Sequence, residues 1–293
     1  MSTTPTSRFR PFDQAFISHS LSRRNAAQPG HFSVLSSVDS TNTWLQSQPP
    51  ELWHRHIVLS DCQTAGRGQR GRGWVSPPGC NIYLTIGWLF DATKNGGEVE
   101  LPLQSLPLAI AVMAARSMDL CGVNGVGIKW PNDLTIASRK MAGILVETRV
   151  RADQKVAVFA GIGVNVDMPR DPAPAATIDQ PWTDLVSHRA EPADPVFRDQ
   201  LSARLIGDFL DGFEQFRAAG FESFRSDWKK RDVLRGQVVC VKTAAENLVG
   251  TAAGIGPQGG LLLQVGNTAG SDEKDSIREL FAGQATVRLS SAS

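Results

Sequence analysis

The amino-acid sequence predicts an α/β domain followed by a small β-barrel. Up to Asp232, strand-like runs rich in β-branched residues alternate with segments of helical periodicity. After Asp232, about five short strand-like runs separated by Gly, Asn and Lys are typical of a small barrel. The 293 residues are enough for both units. We expect an N-terminal arm over residues 1–30, the α/β domain over 31–232 and the barrel over 233–293.

Three segments of the α/β domain predict helices. DSTNTWLQ begins with residues that commonly cap helices, the first being Asp39. SLPLAIAVMAARSMDLCG has Pro107 near its first turn and Gly122 just past its end, which favours a buried helix between them. PVFRDQLSARLIGDFLDGFEQF repeats apolar residues every four positions from Phe197 to Phe213, which predicts an amphipathic helix.

The strand-like runs are HIVLSD, NIYLTIGWLF, VGIKWPND, RKMAGILVETRV and VAVFAGIGVNVD. Their alternation is weak and many of their residues are small, which indicates a sheet that is covered on both faces. In VGIKWPND, the two-residue period of a strand places Val126, Ile128 and Trp130 on one face and Lys129 on the other.

The glycine-rich loop AGRGQRGRGW, residues 65–74, contains the pattern G-x-G-x-x-G of dinucleotide-binding turns. Such a turn requires a helix directly after it, because the helix N-terminus holds the pyrophosphate. Here the run Pro77–Gly79 and then a strand follow the loop. That run cannot form the helix, so the sequence argues against a dinucleotide site.

The arginines of this loop favour a different kind of site. Arg67, Arg70 and Arg72 lie within six residues, and guanidinium groups match phosphates and carboxylates bidentately. Glycines let backbone amides approach a ligand closely. The loop therefore predicts an anion clamp, and a solvated basic surface loop is the alternative that the loop alone leaves open.

Three further clusters combine small or charged residues with strand ends. KWPND, residues 129–133, places a cation and a carboxylate where a strand stops at Pro131, although Asn-Asp after Pro is also an ordinary turn. Strict alternation in RKMAGILVE puts Lys140 on the face of three apolar residues, Ala142, Ile144 and Val146. That lysine needs an anionic partner unless it lies at an exposed strand start. GIGVN, residues 161–165, indicates close approach of a ligand or tight strand packing.

Composition argues against several classes of function. A formal net charge of +1 provides no overall field for nucleic acid or an anionic membrane. No apolar run approaches the roughly 18 residues of a membrane span, and the N-terminus lacks a signal-peptide core, so we expect a cytoplasmic protein. The four cysteines have no CxxC spacing and the five histidines have no metal-ligand spacing, so no resident metal site is predicted.

Six motifs taken together resemble the catalytic core of biotin protein ligases: DSTN, QTAGRGQRGRGW, SPPGCNIYLT, KWPNDL, RKMAGILVE and GIGVN. The resemblance covers residues 33–230 and, more loosely, the C-terminal barrel. It implies a fold related to class II aminoacyl-tRNA synthetases, with a mixed sheet, flanking helices and an SH3-like barrel. It also implies a two-step reaction. Biotin attacks the α-phosphate of MgATP to give biotinyl-5′-AMP and pyrophosphate, and a lysine of a biotin carboxyl carrier protein then displaces AMP.

The same resemblance implies roles for individual residues. The ureido and thiophene rings of biotin would contact Ser40, Thr41, Asn42 and Gln63. The loop that closes over biotin and the adenylate would include Gly66, Arg67, Gly68, Gln69 and Arg70. The adenylate would lie between Trp74 and Asn132, and Gly143, Gly163 and Asn165 would complete the substrate-binding set. The predicted catalytic groups are Lys140 at the biotin carboxylate and α-phosphate, Arg67 in the loop, and Asp133, which would orient Mg²⁺ or the incoming lysine.

Two features depart from the family pattern. Gln69 stands where the family's loop, most often GRGRRG, has an arginine that helps retain the adenylate. Retention is therefore expected to depend more on Arg67, Arg70 and Lys140. Some family members also carry an N-terminal DNA-binding domain, but here DSTN begins at Asp39, so we expect no DNA binding. Whether the protein is a monomer or a homodimer stays open.

Two other functions fit parts of the same pattern. Lipoate and octanoyl transferases share the implied fold but lack the arginine loop and the KWPND turn in this form. A regulator that senses biotin or a nucleotide would need the pocket without the reaction. Lys140 and the arginines argue against the regulator, because binding alone requires no cations at an α-phosphate.

Overall fold

The computed structural model describes residues 9–24, 27–91, 93–94, 97–98, 103–169, 178–243, 245–265, 276–282 and 286–289. Parts of the predicted arm and barrel lie outside these residues, namely 1–8, 25–26, 244, 266–275, 283–285 and 290–293. The helices are α1 Gln14–Ser22, α2 Thr41–Ser47, α3 Leu106–Leu120, α4 Phe197–Ala219 and α5 Glu222–Arg231. The strands of the first domain are β1 His31–Leu35, β2 His56–Ser60, β3 Ile82–Asp91, β4 Thr93–Lys94, β5 Gly97–Glu98, β6 Gly127–Lys129, β7 Asp133–Ile136, β8 Arg139–Val150 and β9 Lys155–Val164. The strands of the C-terminal unit are β10 Val238–Lys242, β11 Asn247–Ile255, β12 Leu261–Val265, β13 Ser276–Leu280 and β14 Thr286–Leu289.

The three predicted helices are present as α2, α3 and α4. Ser40 occupies the N-cap of α2 with extended backbone, although its side chain makes no capping hydrogen bond. Gly122 follows α3 with φ +79°, the left-handed conformation that glycine adopts without strain. The helices α1 and α5 and the strand β1 were not predicted. The helix α1 is capped by Asp13, which accepts a hydrogen bond from the Phe16 amide, and it buries only Ile17 and Leu21.

Seven strands form a mixed sheet in the order β1-β2-β3-β9-β8-β7-β6. β1 and β2 are parallel, with α2 in the connection, and all the other pairs are antiparallel. β6 and β7 form a hairpin whose turn is the predicted KWPND cluster. The mixed sheet and flanking helices confirm the predicted α/β class.

Helices cover both faces of this sheet. α3 and α4 pack on one face, where the main core contains Trp88, Ile162 and Phe209. α2 packs on the other face, where a smaller cluster joins Leu45, Trp53, Val58, Ala157 and Phe159. This double coverage explains the weak alternation of the strand sequences.

The predicted face of β8 is wrong because the strand contains a bulge. Lys140 pairs with Thr135 of β7 while Ala142 pairs with the adjacent Leu134, so Met141 is an extra residue. Ala142 and Ile144 belong to the core, whereas Lys140 lies beside Gly143 on the opposite side. A Cβ atom on Gly143 would lie 3.3 Å from the Lys140 ammonium. The bulge therefore frees the lysine from the apolar face.

Five antiparallel strands form the C-terminal sheet in the order β13-β12-β11-β10-β14. The Trp130 indole donates a 3.0 Å hydrogen bond to the Gly259 carbonyl, which attaches the sheet to the β6–β7 turn. Arg225 of α5 donates to the Ile255 and Gly256 carbonyls. Within the described residues, none of the helices has the length and apolar character needed to cross a bilayer.

Candidate active site

A cavity of about 1010 Å³ opens between α2, the loop over residues 63–76, the β6–β7 turn, β8 and β9. β14 of the C-terminal sheet contributes to its rim. All sixteen residues that the sequence predicts for the site line this cavity, although they come from five separate stretches of chain.

Polar side chains line the end of the cavity beside α2. The Gln63 amide oxygen accepts hydrogen bonds from the Thr41 backbone amide at 2.9 Å and from the Thr41 hydroxyl at 3.2 Å. The Thr41 and Thr85 hydroxyls lie 2.8 Å apart, and Thr85 donates to the Asn42 amide oxygen at 2.7 Å. Ser40, Thr41 and Asn42 are all buried. This end is therefore a preorganised set of donors and acceptors.

Glu147 extends these contacts to the arginine loop. One oxygen of its carboxylate accepts hydrogen bonds from the Asn42 and Gln46 amides, both at 2.9 Å. The same oxygen lies 2.6 Å from the Arg67 guanidinium. Glu147 is not among the predicted site residues, because a glutamate that follows an apolar run in a strand carries no signal of its own.

The arginine loop folds back on itself as a hairpin, which we call the lid (residues 66–74). The Trp74 amide donates to the Gly66 carbonyl at 2.8 Å, and the Gly68 amide donates to the Arg72 carbonyl at 2.7 Å. At the tip, Arg70 adopts φ +58° and Gly71 adopts φ +73°. Arg70 also donates to the Ala282 carbonyl at 3.2 Å, so the tip contacts the C-terminal unit.

Two facing glycines support the indole of Trp74. Gly143 of β8 pairs with Gly163 of β9. A Cβ atom would lie 2.9 Å from the Trp74 ring at Gly143 and 2.5 Å from it at Gly163. Only glycine allows the indole to lie directly on the strands. In the GIGVN segment, the group that approaches the strand closely is therefore a protein side chain, Trp74.

Lys140 lies at the outer side of this indole. Its ammonium is 2.7 Å from a carboxylate oxygen of Asp133 and 5.3 Å from the centre of the Trp74 ring. Both members of the ion pair are less than one-fifth exposed. The pair holds the lysine between the indole and the KWPND turn, where an anion in the cavity would compete with Asp133 for it.

Asn132 and Asn165 line the cavity and also maintain its frame. The Asn132 amide donates to the Ile144 carbonyl at 2.6 Å, and the Asn165 amide donates to the Thr183 carbonyl at 3.1 Å. Both side chains are buried.

A group of cations faces the outer half of the cavity. Burial is the main cause that lowers the pKa of Lys129, and the nearby charges of Lys140, Arg288 and Arg72 lower it further, against the opposing effect of Asp133. Arg288 comes from β14, more than 150 residues away in sequence, and lines the cavity rim. No local pattern could have placed it there. Four positive side chains around one opening would attract a polyanion.

Known proteins are similar to the part of the chain that contains most of the cavity lining. Residues 34–167 match the model of the "Biotin/lipoate A/B protein ligase family". The chain is similar to the "Biotin--[acetyl-CoA-carboxylase] ligase" of Paracoccus denitrificans, with 31% identity over 79% of this chain and 93% of that protein. It is also similar to the "Bifunctional ligase/repressor BirA" of Escherichia coli, with 33% identity over 80% of this chain and 70% of that protein.

The chain belongs to the biotin protein ligase family. The family resemblance inferred from the six motifs is therefore confirmed. Among solved structures, the biotin protein ligase from Aquifex aeolicus in complex with biotin and ATP matches with a TM-score of 0.70. The match has 23% identity and covers 89% of this chain and 100% of that one. Together with the mixed sheet, the helices and the C-terminal antiparallel sheet, this match confirms the predicted fold class.

Proposed function

We propose that this biotin protein ligase family member forms biotinyl-5′-AMP from biotin and MgATP and transfers the biotin to a lysine of a biotin carboxyl carrier protein. The observation that carries the proposal is the polarity of one cavity, which has a network of hydrogen-bonding groups at the α2 end and a group of cations at the opening. The relative from Paracoccus denitrificans is named as a ligase of this kind, and the similar structure from Aquifex aeolicus is described as a complex with biotin and ATP.

The α2 end suits the ureido ring of biotin. A ureido group has two N–H donors and one carbonyl acceptor, and Thr41, Asn42 and Gln63 supply hydroxyl and amide groups of both kinds. The dithiolane of a lipoyl group and the alkyl chain of an octanoyl group would offer these polar groups no hydrogen bonds, whereas a ureido ring would form several. The polar end therefore favours biotin over the acyl groups of related transferases.

The cationic opening suits the phosphates of ATP. In the first step, a biotin carboxylate oxygen attacks the α-phosphorus, and the bond to the β-phosphate breaks as pyrophosphate leaves. Lys140 lies between the two ends of the cavity, where it would neutralise the reacting carboxylate and α-phosphate. Lys129, Arg72 and Arg288 would hold the leaving pyrophosphate.

Mg²⁺ would neutralise phosphate charge during this step. Asp133 and Asp179 are the carboxylates among the described residues of the cavity lining. Mg²⁺ sites in such enzymes commonly combine one or two carboxylates with substrate phosphates, and this donor set fits. No group of three His, Cys, Asp or Glu residues among the described positions could hold a metal by itself.

In the second step, the acceptor lysine amine attacks the acyl carbon of biotinyl-5′-AMP, and AMP leaves with the electron pair of the broken anhydride bond. The amine must be neutral and must lose a proton as the amide forms. We infer that Asp133, which pairs with Lys140, would orient that amine. Lys140 would remain at the phosphate of the leaving AMP, so one cation serves both steps.

The test is transfer of radiolabelled biotin to a purified biotin carboxyl carrier domain. We expect labelling that requires ATP and Mg²⁺ and is absent when the acceptor lysine is replaced by arginine. Binding of biotin and ATP without transfer would indicate a regulator instead. ATP-dependent labelling by lipoate, or labelling from an octanoyl thioester, would indicate a lipoate or octanoyl transferase.

Two partner interactions belong to the same proposal. We expect no sequence-specific DNA binding, because the net charge of +1 supplies no overall attraction to phosphates. A gel-shift assay with operator DNA at physiological salt would test this.

Homodimer formation on binding biotin and ATP would be measured by light scattering. We also expect the protein to act in the cytoplasm.

A further inference from the structure

A closed ring of polar contacts joins the lid to the α2 end of the cavity, and Glu147 is its central member. Starting from the lid, the Trp74 carbonyl accepts a hydrogen bond from Ser76 at 3.1 Å, and Gln63 donates to the Ser76 hydroxyl at 3.4 Å. Hydrogen bonds then connect Gln63 to Thr41, Thr41 to Thr85, Thr85 to Asn42 and Asn42 to Glu147. The ion pair between Glu147 and Arg67 of the lid closes the ring.

The ring meets the lid on both of its arms. Arg67 is on the first arm and Trp74 is on the second, and the backbone bond between Trp74 and Gly66 closes the hairpin between them. A side chain at Gly66 would collide with the Trp74 carbonyl at 2.6 Å and with the Gln63 amide at 3.1 Å. The base of the lid is therefore packed against the same groups that line the α2 end.

Asn42 is fixed on the other side of the ring. Its amide oxygen accepts from Thr85 at 2.7 Å. Its amide nitrogen donates to Glu147 at 2.9 Å and, over longer distances, to the Leu145 and Phe159 carbonyls, so Glu147 is the nearest of the groups that fix the amide. Gly161 leaves the space that this orientation requires, since a Cβ atom there would lie 2.5 Å from the Asn42 oxygen. Any ligand that contacts Asn42 therefore contacts a group held by Glu147.

The partners of Glu147 in α2 and in the lid differ in charge. Asn42 and Gln46 are neutral donors, and Arg67 supplies the positive charge. The Glu147 side chain is 28% exposed and that of Arg67 is 42% exposed, so solvent weakens the pair without abolishing it. Loss of the charge on Glu147 would weaken the contact to the lid more than the contacts to α2.

We propose that Glu147 is a positioning residue that couples closure of the lid to occupation of the biotin end of the cavity. The inference rests on the proposed function, because the ligand that occupies this end is taken to be biotin. A ligand held by Asn42 and Thr41 stabilises the orientation of the Glu147 carboxylate. The carboxylate in turn holds Arg67, and thereby the lid, over the reactive adenylate.

The experiment is a double-mutant cycle on the release of biotinyl-5′-AMP by the full-length protein. Glu147→Gln keeps the size of the side chain and an acceptor oxygen but loses the charge that pairs with Arg67. We expect release of the adenylate to be three- to tenfold faster, as for a partly exposed charged hydrogen bond. Biotin affinity, measured by calorimetry, should change less. Combining Glu147→Gln with Arg67→Met should give a smaller effect than the product of the two single effects.

Glu214→Gln is the matched control. Glu214 also lies 2.6 Å from an arginine, Arg55, and the two side chains are 33% and 32% exposed. This pair is outside the cavity lining, so adenylate release should be unchanged.

An unchanged release rate in Glu147→Gln, or effects of Glu147 and Arg67 that simply multiply, would overturn the inference. Failure of the wild-type protein to form the adenylate would instead contradict the proposed function. The same cycle on biotin affinity would then still decide whether Glu147 couples the lid to the pocket.

Discussion

Replacing Gly163 by alanine tests whether the glycine floor under Trp74 is required for the first step. The new Cβ atom would lie 2.5 Å from two atoms of the indole ring. Ordinary van der Waals contact begins at 3.4 Å, so the ring and the strand would have to separate by about 1 Å. Trp74 cannot move alone, because Lys140 lies against the same ring and is paired with Asp133.

The size of the effect follows from overpacking. Adding one methyl group to a tightly packed site typically costs about 1–3 kcal/mol. If this cost falls on the ligand-bound arrangement, kcat/KM for adenylate formation falls by roughly five- to a hundredfold. Gly143→Ala should have a smaller effect, because its Cβ atom would lie 2.9 Å from the edge of the ring.

Gly73→Ala is the control within the lid. A Cβ atom at Gly73 meets nothing within 4 Å, and its φ is not in the left-handed region. The assay is biotin-dependent exchange of labelled pyrophosphate into ATP, with thermal unfolding measured in parallel. We expect activity to decrease in the order Gly73→Ala, Gly143→Ala, Gly163→Ala. Full activity in Gly163→Ala, or equal losses in all three variants at unchanged unfolding temperature, would refute the reasoning.

Three further predictions concern the cations of the cavity. Lys140→Met should lower the rates of adenylate formation and of biotin transfer by at least about a hundredfold each. An unchanged rate of transfer from preformed adenylate would show that Lys140 serves only the first step. Gln69→Arg should slow adenylate dissociation by adding a charge to the lid tip, and an unchanged rate would show that the tip does not retain the adenylate. Lys129 has a lowered pKa and so loses its charge at a lower pH than a free lysine. The KM for ATP should therefore rise as the pH becomes alkaline, and Lys129→Arg should reduce this rise, because arginine stays charged.

Sequence patterns predicted the elements of the fold wherever periodicity was strong. α3 and α4 have long apolar repeats, and β8 and β9 are continuous apolar runs, so each was found within a few residues of its bounds. α1 was missed because it buries only two residues and has little amphipathic signal. β1 and α5 were also missed. β7 was missed because its four residues directly follow a proline turn.

The candidate site was predicted in composition but not in arrangement. Five of the six motifs contain the sixteen predicted residues, and all sixteen line the cavity. Four of these motifs combine glycines or charges near strand ends, and the fifth, DSTN, begins a helix. The orientation of Lys140 could not be predicted, since strict alternation places it on the core face and only the bulge at Met141 reverses it. A bulge is a property of strand pairing, and one strand's sequence does not reveal its partner's register.

The contacts that hold the lid could not be predicted from the sequence for the same reason. Arg67 meets Glu147, 80 residues later in the chain, and Arg70 meets Ala282, 212 residues later. Both contacts depend on how distant elements pack, and neither partner has a local signal. Because the two arginines are anchored to different units, one to β8 and the other beside β13, the lid spans the opening between them. Movement of the C-terminal sheet would therefore change the position of the lid tip even though the base of the lid remained fixed by Glu147.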